Sequence, residues 1–246
     1  MANADGGLWC VVPAAGRGRR FGADRPKQHV EIAGKSLLTW TLQRLAAHPR
    51  IRGLVVVTAA DDAGPLAQSA CCGKPFLSVP GGAERADSVL AGLRRLPETV
   101  AGTDFVLVHD AARPCVRPGD IDALIERGMP AGGALLAAPL RDTLKRADAD
   151  GHVLETEPRE TRWRALTPQM FRRAELTDAL ESARRSGISV GDEAMAMELA
   201  GFRPLLVEGS EDNIKVTTAA DLALAEYLLL RDSGMGNGEW GIGNRE

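Results

Sequence analysis

Residues 8–22, LWCVVPAAGRGRRFG, run from a continuous apolar stretch straight into a glycine-spaced turn loaded with cations. An apolar run without alternation reads as a strand buried on both faces, the kind carried by a parallel sheet. The turn then decides which kind of α/β protein this is. A dinucleotide fingerprint needs G-x-G-x-x-G, but Gly16 and Gly18 are followed by Phe21 at the third position and Gly22 comes one residue late. A G-x-x-x-x-G-K-[ST] phosphate loop fails as well, because Lys27 is not preceded by glycine. Two readings remain. One is a solvated basic loop; the other is a turn whose backbone amides face an anion, with Arg20 and Lys27 reaching in.

Working outward, apolar strand patterns alternate with helical ones. Examples are KSLLTWTLQRLAAH opened by Ser36, GLVVVTA, a weaker helical stretch after Asp61, PFLSVPGG, and AERADSVLAGLRRL. DFVLVHD, PGDIDALIERGM with Pro118 in its first turn, and GGALLAAP continue the alternation. This order predicts an α/β, Rossmann-like, mostly parallel sheet flanked by helices, in a single domain over residues 8–232. Residues of about 141–166 break the pattern. They are polar, with short alternating runs around Asp150-Gly151, and read as a protruding β-arm. A two-stranded arm is marginal alone, so a homodimer packed through it is expected. Helices return at FRRAELTDALESARRSG and DEAMAMELAG, then the strand PLLVEG, the extended NIKVTT and the helix AADLALAEYLLLRD. Residues 1–7 and the glycine-rich 233–246 are expected to be disordered.

Bulk chemistry excludes several classes. The 246 residues carry a formal net charge of -3 and a pI near 5.9, against general affinity for nucleic acid. No 20-residue apolar span and no signal-like start is visible, so a cytoplasmic protein without membrane contact is expected. Cys10, Cys71, Cys72 and Cys115 form no C-x-x-C, and His29, His48, His109 and His152 form no H-E-x-x-H, so a tightly held zinc is not expected. Met195 and Met197 read as packing residues, and Arg94-Arg95 and Arg184-Arg185 as solvated helix ends.

In a parallel sheet, ligands bind beyond the carboxyl ends of the strands. Four segments follow predicted strands: the opening turn, PGGAERADS (80–88), HDAARP (109–114) and EGSEDNIK (208–215). Gly81 and Gly82 permit close approach to a ligand, with Arg85 and Ser88 at a helix start. Asp110, a carboxylate at a strand end, suits Mg²⁺ beside phosphates, or else an ion pair with Arg113.

Together these pieces resemble a known family. PAAGRGRRF with RPKQ, GGAERADSV, VHDAARP, RDTLKR, RWRALTPQ, DEAMAMELAG and VEGSEDNIKVT are similar to the 2-C-methyl-D-erythritol 4-phosphate cytidylyltransferases of the non-mevalonate isoprenoid pathway. The resemblance runs from about residue 10 to about residue 230. It implies transfer of CMP from CTP to a polyol phosphate, with Mg²⁺ or another divalent cation. By the same resemblance, Arg20 and Lys27 are catalytic, and Ala14, Ala15, Gly16 and Gly18 hold the triphosphate. Gly82 and Ser88 contact the cytidine, and Arg85 supports their loop. Asp110 meets the metal or the substrate. Arg113, Thr143, Arg159 and Lys215 bind the substrate, with Thr143 and Arg159 donated from the arm of a partner subunit. Ala83 departs from the acidic residue expected there. Two other readings stand beside this one: a cytidylyltransferase for another polyol phosphate such as ribitol 5-phosphate, and a nucleotide-binding module without turnover.

Overall fold

The computed structural model describes residues 7–16, 30–59 and 73–232. Arg20, Lys27 and Gly18 lie outside the described residues, as do Cys71, Cys72 and the helical pattern after Asp61. The elements are β1 (Leu8–Pro13), β2 (Glu31–Ile32), β3 (Lys35–Ser36), α1 (Leu37–Ala47), β4 (Ile51–Thr58), β5 (Phe76–Pro80) and α2 (Arg85–Arg95). They continue with β6 (Phe105–Val108), α3 (Pro118–Ala131), β7 (Gly133–Pro139), β8 (Leu144–Ala147), β9 (Val153–Glu157) and β10 (Trp163–Arg172). Last come α4 (Arg173–Arg185), α5 (Glu193–Leu199), β11 (Leu205–Glu208) and α6 (Ala219–Asp232).

Seven strands form one sheet in the order β11-β7-β10-β6-β1-β4-β5. All are parallel except β10, which runs antiparallel to both β6 and β7. Alternation along β1 explains the layers. Cys10 and Val12 point into one core with Leu38 and Leu42 of α1 and Leu124 of α3. Val11 points into the other, with Val89 and Leu93 of α2 and Leu176 and Leu180 of α4. A methyl group at Gly92 would lie 2.4 Å from Val11 Cγ1, so α2 rides directly on the sheet because that residue has no side chain. Local caps fix the helix starts. The Ser36 hydroxyl accepts from Thr39 N at 3.1 Å, and Pro118 occupies the first turn of α3. α3 stops at Gly132, whose φ of 78° is a left-handed conformation that glycine adopts without strain.

The arm is shorter than the sequence suggests. β8 and β9 form an isolated antiparallel hairpin around Asp150-Gly151, but residues from Trp163 onward belong to the main sheet. The free thiols Cys10 and Cys115 are buried, and burial pushes the Cys115 thiol up to about 12. Met197 is buried, but Met195 lies at the surface. Among the described residues no helix is long and apolar enough to cross a membrane.

Candidate active site

The carboxyl ends of β1 and β5 build a notch lined by small residues. Ala14 N donates to Val57 O and Gly81 N to Thr58 O, both at 2.7 Å, which hold the strand ends side by side. Gly82 N donates to Ser88 Oγ at 3.2 Å, folding the Gly81–Ser88 segment back onto the start of α2. A methyl at Gly81 would sit 2.4 Å from Ala15 Cβ and 2.8 Å from Ser88 Oγ. Ala15, Gly81 and Ser88 therefore meet at one point, although 66 residues separate Ala15 from Gly81 in the sequence. The helix start itself is a capping box between Glu84 and Asp87.

Beside the notch, Asp110 stands two residues past the end of β6, after His109, and is almost enclosed, with a 9% exposed side chain. Arg85 Nε donates to its Oδ1 at 3.0 Å, Lys215 Nζ lies 2.8 Å from Oδ2, and Arg113 Nε is 3.6 Å from Oδ2. Burial works against the Asp110 charge, but Arg85 and Lys215 outweigh it and hold the carboxyl far below the usual carboxylate range. Arg85 has a second partner. Its Nη1 and Nη2 donate to Glu193 Oε1 at 2.6 Å and Oε2 at 3.1 Å, a bidentate fork onto a carboxylate with no exposure. Burial pushes the Glu193 carboxyl up, against the pull of Arg85.

The backbone around Asp110 is pinned by a directional chain. The Nε2 of His109 is 3.0 Å from Arg113 O, which can only accept, so Nε2 carries the proton. Nδ1 must then accept from the Thr167 hydroxyl at 3.0 Å, and that hydroxyl oxygen in turn accepts from Asp110 N at 3.1 Å. Burial lowers His109 to about 4, so the ring is neutral at pH 7. Arg113 Nη1 donates to Asn213 O at 2.6 Å and Asn213 Nδ2 to Thr167 O at 2.7 Å. Val216 N donates to Ala112 O at 2.9 Å, which docks the Lys215 segment on the segment after Asp110.

The fold thus brings together Ala14, Ala15, Gly16, Gly82, Arg85, Ser88, Asp110, Arg113 and Lys215 at one sheet edge, from segments spread over 200 residues. It does not bring Thr143 and Arg159 there through any hydrogen bond or ion pair among the described residues. Thr143 is exposed between β7 and β8, and Arg159 Nη1 donates to Arg141 O at the base of the arm. Arg85 does more than the sequence suggests, since it ends on Asp110 rather than on the loop that bears it. Glu193 and the His109–Thr167 pair escaped the sequence reading. The signal for Glu193 is present: it shares the buried face of α5 with Ala196 and Met197, at i, i+3 and i+4, where a lone carboxylate needs a partner.

The family model for IspD, 2-C-methyl-D-erythritol 4-phosphate cytidylyltransferase, matches residues 8–231. A protein of that description from Stenotrophomonas maltophilia (strain R551-3) is 58% identical over 228 residues, covering 92% of this chain and 98% of the relative. The crystal structure of a 4-diphosphocytidyl-2C-methyl-D-erythritol synthase is 35% identical with a TM-score of 0.77, covering 91% of this chain and 98% of that one. That of the IspD of Francisella tularensis is 31% identical with the same TM-score, covering 90% and 99%. With the family model matching residues 8–231 and relatives of that description and fold covering about nine-tenths of it, the chain belongs to the 2-C-methyl-D-erythritol 4-phosphate cytidylyltransferase family, IspD.

Proposed function

We propose that the protein transfers CMP from CTP to 2-C-methyl-D-erythritol 4-phosphate, giving 4-diphosphocytidyl-2-C-methyl-D-erythritol and pyrophosphate in the non-mevalonate pathway. The observation that carries this reading is the pairing of a small-residue notch with a cation-ringed carboxylate at one sheet edge, in a chain of this family. The notch suits a nucleotide: at Ala14, Ala15, Gly16, Gly82 and Ser88 little or no side chain keeps a ligand from the backbone. The charged half suits the polyol phosphate. Arg113 and Lys215 supply positive charge, and the fixed Asp110 carboxylate accepts hydroxyl hydrogens.

In the reaction a phosphate oxygen of the substrate forms a bond to the α-phosphorus of CTP. The bond to the bridging oxygen breaks, and its electron pair leaves with pyrophosphate. A phosphomonoester has a second pKa of roughly 6, so the nucleophile is largely a dianion at neutral pH. It needs no general base, and His109, with both ring nitrogens engaged, offers none. What the step requires is positioning and neutralisation of crowded negative charge. Arg20 and Lys27 take that role at the α-phosphate in this reading, with Gly18 in the triphosphate turn.

A divalent cation such as Mg²⁺ does not fit directly on Asp110. Both carboxylate oxygens already face cations, and a metal there would add two more positive charges beside Arg85, Arg113 and Lys215. The only other grouping of possible ligands among the described residues, Asp148, Asp150 and His152, lies on the exposed turn of the arm. We therefore assign the cation to the phosphates of the nucleotide rather than to a protein carboxylate.

The arm supports a homodimer. Val153 and Leu154 of β9 are 61% and 53% exposed, and a two-stranded hairpin is not stable by itself. A second copy seated there would shelter them and carry Thr143 and Arg159 toward a site they do not reach within their own chain. The test of the function is pyrophosphate release from CTP. Release with 2-C-methyl-D-erythritol 4-phosphate at kcat/KM at least about tenfold above ribitol 5-phosphate is expected. Faster release with ribitol 5-phosphate would reassign the acceptor, and CTP binding without release from any acceptor would make the protein a binding module.

A further inference from the structure

Arg85 belongs to two places at once. Its backbone opens α2, directly after the Gly81-Gly82 turn of the nucleotide notch, and its guanidinium ends on Asp110 in the charged half. A side chain of that length has many rotamers, and holding one of them needs a fixed partner. Glu193 is that partner. It has no solvent exposure, and its two oxygens take Nη1 and Nη2 of the guanidinium while Nε and Nη2 both lie 3.0 Å from Asp110 Oδ1.

Glu193 is itself immobilised from the sheet. Asp192 caps α5 by accepting from Met195 N at 2.9 Å. Gln169 of β10 clasps both sides of that cap, with Nε2 donating to Asp192 Oδ2 at 3.0 Å and Oε1 accepting from Ala194 N at 2.7 Å. The same strand carries Thr167, whose hydroxyl accepts from Asp110 N. β10 therefore fixes Asp110 twice, once through its backbone and once through α5, Glu193 and Arg85.

We propose that Glu193 is a positioning residue for the acceptor half of the site: by locking the Arg85 fork across the two half-sites, it sets the orientation of the Asp110 carboxylate toward the polyol phosphate. Glu193 touches no substrate in this account and acts only through Arg85. The alternative is a purely structural pair, retained because a buried charge cannot be left alone. The two differ in what happens when both charges are removed together.

The experiment compares Arg85→Met, Glu193→Gln and the double variant in the full chain. Melting temperature and the KM values for both substrates are measured, and binding of 2-C-methyl-D-erythritol 4-phosphate is followed by calorimetry. Arg85→Met strands a fully buried carboxylate and is expected to lose roughly 10 °C in Tm. The double variant leaves no unpaired charge at that position and should regain most of the loss. Its KM and Kd for the polyol phosphate should stay raised by about tenfold, with the KM for CTP within about twofold of the unaltered protein. Glu193→Gln alone should raise the same two constants, and add nothing further in the Arg85→Met background. Recovery of the KM together with Tm in the double variant would overturn the proposal, as would an unchanged KM in Glu193→Gln. The inference rests on the proposed function, and the two fail differently. If the unaltered protein neither binds the polyol phosphate nor releases pyrophosphate, the function falls; an active protein with the contrary variant pattern sinks only the role of Glu193.

Discussion

The sheet edge and the β-arm are built on opposite principles. At the edge, Asp110, Glu193, His109, Thr167 and Asn213 are buried and, with the half-buried Arg85, joined by charge-assisted or directional hydrogen bonds. In the arm, the pairs are exposed, such as Arg146 with Glu155 at 2.7 Å and Lys145 with Thr156 at 2.6 Å, and the apolar side chains Val153 and Leu154 face solvent. Exposed ion pairs contribute about 0–1 kcal/mol, whereas breaking a buried charged network costs several. The difference teaches that the edge is held together within a single chain, whereas the apolar side chains of the arm lie exposed on theirs. A buried, directionally bonded edge is the more rigid of the two, and a two-stranded hairpin is marginal on its own.

The largest expected effect probes how strictly the edge is wired. Burial lowers His109 to about 4, below the ordinary histidine value of 6.5. The unfolded chain therefore binds a proton there before the folded one does, and stability falls as pH drops from 6.5 toward 4. Protonation of Nδ1 would also set an N–H against the Thr167 hydroxyl hydrogen. The shift corresponds to about 3 kcal/mol over that window. Asp110 adds its loss only at lower pH, as the folded carboxyl finally titrates below the ordinary carboxylate range. Chemical denaturation at pH 6.5 and 4 should show His109→Gln losing about 3 kcal/mol less than the unaltered protein. Parallel losses would mean that His109 does not govern acid stability.

A smaller effect tests the notch. Gly81→Ala places a methyl against Ala15 and Ser88, and overpacking of this kind costs about 1–3 kcal/mol. The strand ends must part, so the KM for CTP should rise about tenfold while that for the polyol phosphate stays within about twofold. Equal changes in both would show that the halves are not separately built.

Much of this was legible in the sequence, and the failures have physical causes. The apolar runs of β1, β4 and β7 and the caps at Ser36 and Pro118 are local signals, so their elements stand where the pattern puts them. β10 is different. Its first residues, Trp163–Ala165, are exposed and polar in company, Pro168 interrupts its buried stretch, and α4 begins at once without a turn residue. Nothing local distinguishes it from the arm that precedes it. Asp110 and Lys215 could be named from strand-end position and motif, but their mutual distance of 2.8 Å comes from topology. Glu193 lies 108 residues from Arg85, and no pattern within one element announces a bond across that separation.

The proposed completion of the site by a partner's arm is tested most directly by mixing two variants. Lys215→Ala damages the edge, and Arg159→Ala damages the arm. If each site combines the edge of one chain with the arm of the other, a mixed dimer has one site carrying both lesions and one carrying neither. Random exchange makes half the dimers mixed, so two nearly inactive proteins should together recover about a quarter of the unaltered rate. Activity that stays at the level of the separate variants after verified subunit exchange would contradict a site completed by the partner's arm.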